Sequence, residues 1–264
     1  MLSRTEAIVL KTTPYAEADL IVSFITLDCG RLQAFAKSPR KIRSRFGSSL
    51  EPLTHSRISF WGKENANLPR LTQSDIIRPY QTIRESSESF LGIMEDVALT
   101  FTFLPEQEPQ REVFHLFQEV LTRLEDALRT EKWTMEGMKD LVRILVTLYK
   151  IKFLDISGYA PAIKGCVRCG RAGYDFYISQ GSVLCEACAR GMGRPVRLSP
   201  GTVKLYETLR RWEVSKIERI RPSGTLMSEL SVLLDTHIQY TAPRPLKAKF
   251  LPESHCSARD NTES

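Results

Sequence analysis

The chain runs to 264 residues with 42% hydrophobic and 26% charged side chains, enough apolar material for a sizeable core in one large domain or two to three small ones. No run approaches about 18 uncharged apolar residues, and the opening MLSRTEAIVLKTT lacks a basic region followed by a long apolar stretch. Neither a membrane span nor a signal peptide is expected, and the expected location is cytoplasmic. The net charge of +6 is divided unevenly: twelve basic against seven acidic residues in 1–80, nine against fourteen in 81–160, and sixteen against ten in 161–264. Two basic ends around an acidic middle suit a polyanionic partner, although a solvated basic face gives the same count.

The first eighty residues read as strands. Thr5–Lys11, Leu20–Leu27, Arg31–Lys37, Leu53–Trp61 and Leu68–Ile76 are β-branched or aromatic runs, separated by Pro14, Asp28-Cys29-Gly30, Gly47 to Pro52 and Gly62 to Pro69. Five strands in so short a span, with no helix long enough to cover a flat sheet, favour a small closed barrel. A five-stranded oligonucleotide-binding (OB) barrel is the commonest solution, and a barrel-like chromatin or translation module is the competing one. After Pro79 the period changes. Phe90, Met94, Val97 and Phe101 share a helical face, as do Val113, Phe117, Val120, Leu124 and Leu128, with Pro105 and Pro109 between them. A third helix from about Thr134 to Ser157 is apolar on more than one face and belongs at a domain centre. Gly158 and Pro161 stop it. Ser199-Pro200 is a helix start, and a last helix carries Leu226, Leu230, Leu233, Leu234 and His237. The tail after Leu251 is polar.

Four of the six cysteines form Cys166-x2-Cys169-x15-Cys185-x2-Cys188. Each pair can wrap a tight turn around one ion, and the fifteen residues between pairs let the turns converge on a tetrahedron, the spacing of a four-cysteine zinc site. Gly170 supplies a residue that tolerates positive φ, and Lys164, Arg168, Arg171 and Arg190 offset the charge of the thiolates. Disulfides do not suit a chain without an export signal; a rubredoxin-like iron site has the same ligands. With all four positions filled by protein, a zinc ion here is structural, fixing a knob from about Lys164 to Pro195 that has few apolar residues of its own. Cys29, in a turn, reads as a small filler, and Cys256 lies in the tail.

Between Arg31 and Arg45 there are six basic residues and no acid: Arg31, Lys37, Arg40, Lys41, Arg43 and Arg45. A basic loop leaving a barrel strand can track a phosphate backbone without choosing a sequence, and a solvated loop is the plain alternative. Phe35, Phe46 and Trp61 are nearby aromatics that serve either as stacking surfaces or as core. There is no Gly-x4-Gly-Lys-Ser/Thr phosphate loop, no Gly-x-Ser-x-Gly elbow and no His-Glu-x-x-His helix, and His55, His115, His237 and His255 stand singly. A catalytic constellation is not expected.

These parts, in this order, resemble one family. Glu6-Ala7-Ile8-Val9-Leu10 and Tyr15-Ala16-Glu17-Ala18-Asp19 resemble the first strand and turn of RecO proteins. Gly30-Arg31-Leu32 to Ala36-Lys37 and the basic stretch after it resemble their third strand and loop. Leu154 to Gly158-Tyr159-Ala160-Pro161, then Cys166-Val167-Arg168-Cys169-Gly170, is similar to the way into their zinc knob, Leu198-Ser199-Pro200-Gly201 to the way out, and Leu246-Lys247 to Phe250-Leu251 to their usual ending. The resemblance covers about residues 1 to 251 and implies an α+β chain. An N-terminal OB barrel (1–80) precedes a helical domain in two parts (81–163 and 196–251). That domain carries a four-cysteine zinc knob (164–195), and a disordered tail (252–264) follows. It further implies a non-enzymatic DNA repair and recombination mediator that binds single- and double-stranded DNA and anneals complementary strands. With RecR and RecF such a protein helps load RecA onto DNA coated by single-stranded-DNA-binding protein, whose acidic C-terminal tail it binds. The family's DNA contacts carry over onto Lys37 to Arg45, and onto Arg31. Ser38-Pro39 stands where a glycine is common after Lys37. Two other readings remain at this point: a zinc-stabilised protein-binding adaptor without DNA affinity, and an iron-based electron carrier.

Overall fold

The computed structural model describes residues 1–15, 17–39, 46–63, 67–130 and 132–243. Five strands come first: β1 (Leu2–Tyr15), β2 (Asp19–Thr26), β3 (Gly30–Ala36), β4 (His55–Trp61) and β5 (Arg70–Arg78). They close in the order β1-β2-β3-β5-β4, with β4 pairing back onto β1 and only β3 and β5 parallel. This is the five-stranded OB barrel that the turn spacing suggested. Alternate side chains turn inward, and Ala7, Val9, Val22, Phe24, Leu32, Ala34, Ile58, Phe60 and Leu71 fill the barrel. Phe46 and Leu50, at the short 3-10 helix Gly47–Leu50, complete that core.

β1 is buried on both faces. Ala7 and Val9 belong to the barrel core, whereas Ile8 and Leu10 belong to the core of the helices that follow. Those helices are α1 (Gln81–Glu85), α2 (Ser87–Phe103), α3 (Arg111–Leu128) and α4 (Met135–Ile156), then α5 (Pro200–Arg211) and α6 (Gly224–Thr241). Side-chain oxygens of Ser86, Thr134, Ser199 and Ser223 cap α2, α4, α5 and α6, each accepting from a backbone N–H three residues on. The central, many-faced helix expected at Thr134–Ser157 is α4: α2, α3, α5 and α6 all pack on it, and Tyr149 and Phe153 stack within it at 5.8 Å. Among the described residues no helix is long and apolar enough to cross a membrane.

Barrel and helical body are joined through β3. The loop after α2 lies along the strand, with the Gln107 N–H donating to the Arg31 carbonyl at 3.1 Å. The Arg31 guanidinium turns into the joint. Its Nε donates to the Leu104 carbonyl at 3.2 Å, it pairs with Glu106 at 2.9 Å, and it lies 4.5 Å from the centre of the Phe101 ring. Beside it Gly30 has φ +63, and a Cβ there would lie 1.9 Å from the Glu108 carbonyl oxygen, so only glycine admits this approach. Arg111 pairs with Asp28 at 2.8 Å on the same side.

Some local structure differs from the reading of the sequence. The strand expected from Leu53 starts at His55, because Leu53 takes φ +67 and its N–H donates to the Val9 carbonyl. The strand expected at Leu68–Ile76 runs from Arg70 to Arg78. Helix α1, five residues long, gave no periodic signal; the buried Glu125 carboxylate holds it by accepting from the N–H groups of Thr82 and Ile83. Three short strands inside the cysteine segment, β6 (Asp175–Tyr177), β7 (Ser182–Val183) and β8 (Val196–Arg197), also gave none.

The Arg31 joint predicts that Arg31→Ala, which strands the Leu104 carbonyl and opens a void under Phe101, costs about 2–4 kcal/mol. A thermal melt followed by circular dichroism should show Tm lower by roughly 5–12 °C. The interior of α2 gives a second prediction. Asp96 is fully buried and neither carboxylate oxygen has a hydrogen-bond partner. Burial holds its pKa well above the usual carboxylate range, only partly countered by Lys150, which is itself paired with Glu95 and Asp235. With a folded value above the unfolded value of about 4, the proton on Asp96 favours the fold fully below that pH. The contribution is lost as pH rises through the folded value. The difference in Tm between Asp96→Asn and the parent therefore widens in favour of the asparagine variant between pH 5 and 8; a constant difference would contradict this.

Candidate metal centre and nucleic-acid interface

The two Cys-x-x-Cys turns fold as their spacing requires. In the first, the Gly170 N–H donates to the Cys166 carbonyl and the Cys166 N–H to the Arg171 carbonyl, each at 2.8 Å, with Gly170 at the positive φ (+72) expected of it. In the second, the N–H groups of Cys188 and Ala189 both donate to the Cys185 carbonyl at 3.0 Å. The Arg168 guanidinium donates to the Cys188 carbonyl at 2.9 Å, tying one turn to the other. Sheet β7-β6-β8 mounts the turns on the body. Phe176 and Val183 enter the main core, while Cys166, Leu184 and Ala189 form a small cluster of their own. Behind the sheet the His237 Nε2–H donates to the Tyr159 carbonyl at 2.8 Å, and its ring packs on Phe176.

All four sulfurs lie within 4.8 Å of one another, and those of Cys169 and Cys185 are 3.6 Å apart. Sulfurs held about 2.3 Å from a central ion on a tetrahedron are about 3.8 Å apart, so the set is sized for one ion. The electrostatics agree. Backbone N–H groups, foremost that of Cys185 and then those of Arg168 and Cys169, draw the Cys166 thiol down to about 6. The sulfurs crowded round Cys188, Cys185 first, push that thiol up to about 12. Four thiolates so close repel one another unless a cation lies between them. The chain therefore has a four-cysteine cluster that can hold a metal ion.

The basic residues are not all placed as the sequence suggested. Arg31 is turned into the joint with its side chain 4% exposed, already committed to Leu104, Glu106 and Phe101. It is structural, and it leaves the set of side chains that reach a DNA strand. Lys37 is exposed at the end of β3. The next residue, Ser38, has φ +55, a region that favours glycine, and its N–H is held by Asp19 Oδ1 at 2.6 Å. This explains the exchange noted at that position: the turn is kept by a hydrogen bond in place of glycine's freedom. Arg40, Lys41, Arg43 and Arg45 lie outside the described residues, as do Cys256 and the ending near Leu251.

Of the three aromatic residues singled out, Phe46 is core, whereas Trp61 is 61% exposed. Cross-strand register explains where Trp61 sits. Leu2 pairs with Trp61, Trp61 with Arg70, and Arg70 with Phe35, so these four share the outer face in one row across β1, β4, β5 and β3. Tyr15, 54% exposed at the end of β1, meets the half-buried Phe35 edge to face at 5.8 Å. Arg70 and Tyr15 were not singled out in the sequence. The signal for Arg70 was its parity, one residue before the inward Leu71; Tyr15 gave none, because its neighbour Phe35 belongs to another strand.

The comparisons with known proteins come to the same point. A family model described as "Recombination protein O N terminal" matches residues 1–80, and one described as "Recombination protein O C terminal" matches residues 97–250. A "DNA repair protein RecO" of Thermodesulfovibrio yellowstonii is 41% identical over 240 residues, 89% of this chain and 91% of that protein. One of Syntrophus aciditrophicus is 32% identical over 252 residues, 93% of each. One of Desulforamulus reducens is 27% identical over 248 residues, 92% of this chain and 91% of that protein. With two matched family models covering most of the chain and a relative 41% identical over 89% of it, the chain belongs to the RecO family of DNA repair and recombination proteins.

Proposed function

We propose that the outer face of the barrel binds single-stranded DNA, and duplex more generally, through its backbone, and that the protein anneals complementary strands without making or breaking a bond. The observation that carries this reading is the row of Trp61, Arg70 and Phe35, extended by Tyr15 and ending where Lys37 leads into the basic run Arg40, Lys41, Arg43 and Arg45. Aromatic faces stack on bases of any kind, and cations beside them neutralise phosphates, which together give affinity without sequence preference. Lowering the charge on two strands removes the repulsion that keeps them apart. Membership of the RecO family supports the further reading. With RecR and RecF, in the cytoplasm, the protein helps RecA onto DNA coated by single-stranded-DNA-binding protein, whose acidic tail it also binds. In the cysteine cluster a single zinc ion fits the four thiolates of Cys166, Cys169, Cys185 and Cys188, and leaves no open position for substrate. It holds the knob together and takes no part in chemistry.

Fluorescence anisotropy with labelled single strands of arbitrary sequence, over a salt series, tests the interface. Contact with four to six phosphates gives a slope of roughly −3 to −4 in log affinity against log salt. Replacing Lys37, Arg40, Lys41, Arg43 and Arg45 by alanine flattens it. Trp61→Ala weakens binding by about 1–3 kcal/mol while leaving the slope in place. An unaltered slope in the multiple variant rejects the loop as the contact. For the metal, elemental analysis of the colourless protein should find one zinc per chain, and Cys166→Ser should lose it. Chelation should lower Tm and expose residues 164–195 to protease; a red protein containing iron would refute the assignment.

A further inference from the structure

We propose that the cysteine knob is a second DNA-binding surface, which holds the backbone of one strand while the barrel holds the other. This rests on the reading of the barrel as a DNA-binding face.

The charge of the knob is out of keeping with the body that carries it. From Lys164 to Arg197 there are six basic residues against two acidic ones, Asp175 and Glu186. The preceding segment, 81–160, has nine against fourteen. The use made of the cations differs as well. On the body Arg129 pairs with Glu125, Lys150 with Glu95 and Asp235, Arg210 with Asp155, and Arg211 with Glu207. Just beyond the knob, Arg197 pairs with its Asp175, and among the described residues no cation from Lys164 to Arg194 has an ion pair. Arg168 is spent on the Cys188 carbonyl. Lys164, Arg171, Arg190 and Arg194 are exposed, and none has an ion pair or hydrogen bond from its side chain among the described residues.

Two of those four cations are carried by the cysteine turns themselves. Arg171 is fixed to Cys166 by its carbonyl, and Arg190 is two residues beyond Cys188. Both therefore ride on turns whose sulfurs lie within 4.8 Å of one another. Beside them Val167 is 60% exposed and Tyr174 presents an exposed ring, a surface on which a base can rest. The plain alternative is that the arginines only offset the thiolates. Four thiolates around a divalent ion leave about two negative charges, and after those and the two acids the knob is still positive. Moreover, no arginine side chain there donates to a sulfur among the described residues. An excess of exposed cations without ion pairs among the described residues, carried on an otherwise acidic body, is the arrangement that takes up phosphate. Pairing two strands requires that both be neutralised at once, and a single basic face holds one.

The test uses the full chain carrying its metal, with R171A/R190A/R194A and the charge-keeping R171K/R190K/R194K. Zinc content and Tm establish that each variant is folded. The probes are a labelled single strand across a salt series and its complement in an annealing assay, run with the first strand saturated. With the first strand saturating the barrel, uptake of the second strand by the alanine variant should show a salt slope shallower by roughly 2, three phosphates at about 0.7 each, while the first strand's own slope stays that of the parent. Annealing by that variant should be at least tenfold slower, with the lysine variant close to the parent. Second-strand slope and annealing equal to the parent's would overturn the proposal. So would unchanged DNA behaviour combined with lost binding to an acidic peptide, which would make the knob a protein contact. A parent protein that binds no strand even in dilute salt overturns the reading of the barrel as well. First-strand binding that depends on Trp61, with second-strand uptake and annealing independent of the three arginines, overturns this proposal alone.

Discussion

The guanidinium of Arg31 sits where β3 meets the loop after α2, and its three engagements determine which side of the barrel is covered. A small barrel has an outer surface all the way round, and nothing within the barrel distinguishes one side from another. The helical body makes the distinction. It seals the side carrying Ile8, Leu10 and Ile25 into its own core and leaves the row from Leu2 to Phe35 in solvent. A positive charge in so dry a place is tolerable because it meets a carbonyl, a carboxylate and an aromatic face together. Gly30 provides the room, by letting the backbone at Glu108 come closer than any side chain would allow.

Electrostatics divide the molecule in the same way. On the body many cations are paired with anions along the helices and across them, and what is left over is negative. The barrel face and the knob present cations instead. Cations whose backbone is already held on turns or in strand register spare an arriving anion the ordering of that backbone, which a free tail would still require.

Much of this was legible in the sequence, for physical reasons that differ from place to place. The barrel strands were readable because a pleated strand with one buried face must alternate. The four cysteines were readable because two close pairs at fixed spacing leave few other geometries. Helix α4 was readable because it is apolar on several faces. Arg31 was not: it lies in a basic run, and a sequence shows how charges cluster along the chain without showing what the fold will lay over them. Only the loop at Leu104 to Gln107, more than seventy residues on, decides its role. Tyr15 was missed for the same reason, since its neighbour Phe35 belongs to another strand, whereas the parity of Arg70 against the inward Leu71 was there to be read. Helix α1 and strands β6 to β8 are too short to have a period; they exist because Glu125 holds one and Phe176 and Val183 anchor the sheet in the main core.

β1 supplies alternate side chains to two separate hydrophobic interiors, Ala7 and Val9 to one, Ile8 and Leu10 to the other. Loss of that strand would remove buried side chains from both interiors at once. Barrel and body are in this sense joined through one strand, which couples the opening of either interior to the other. A cut between them would not yield two self-sufficient halves: the barrel would keep the strand but bare its outer apolar side chains to water, and the body would be left with a gap where they had been.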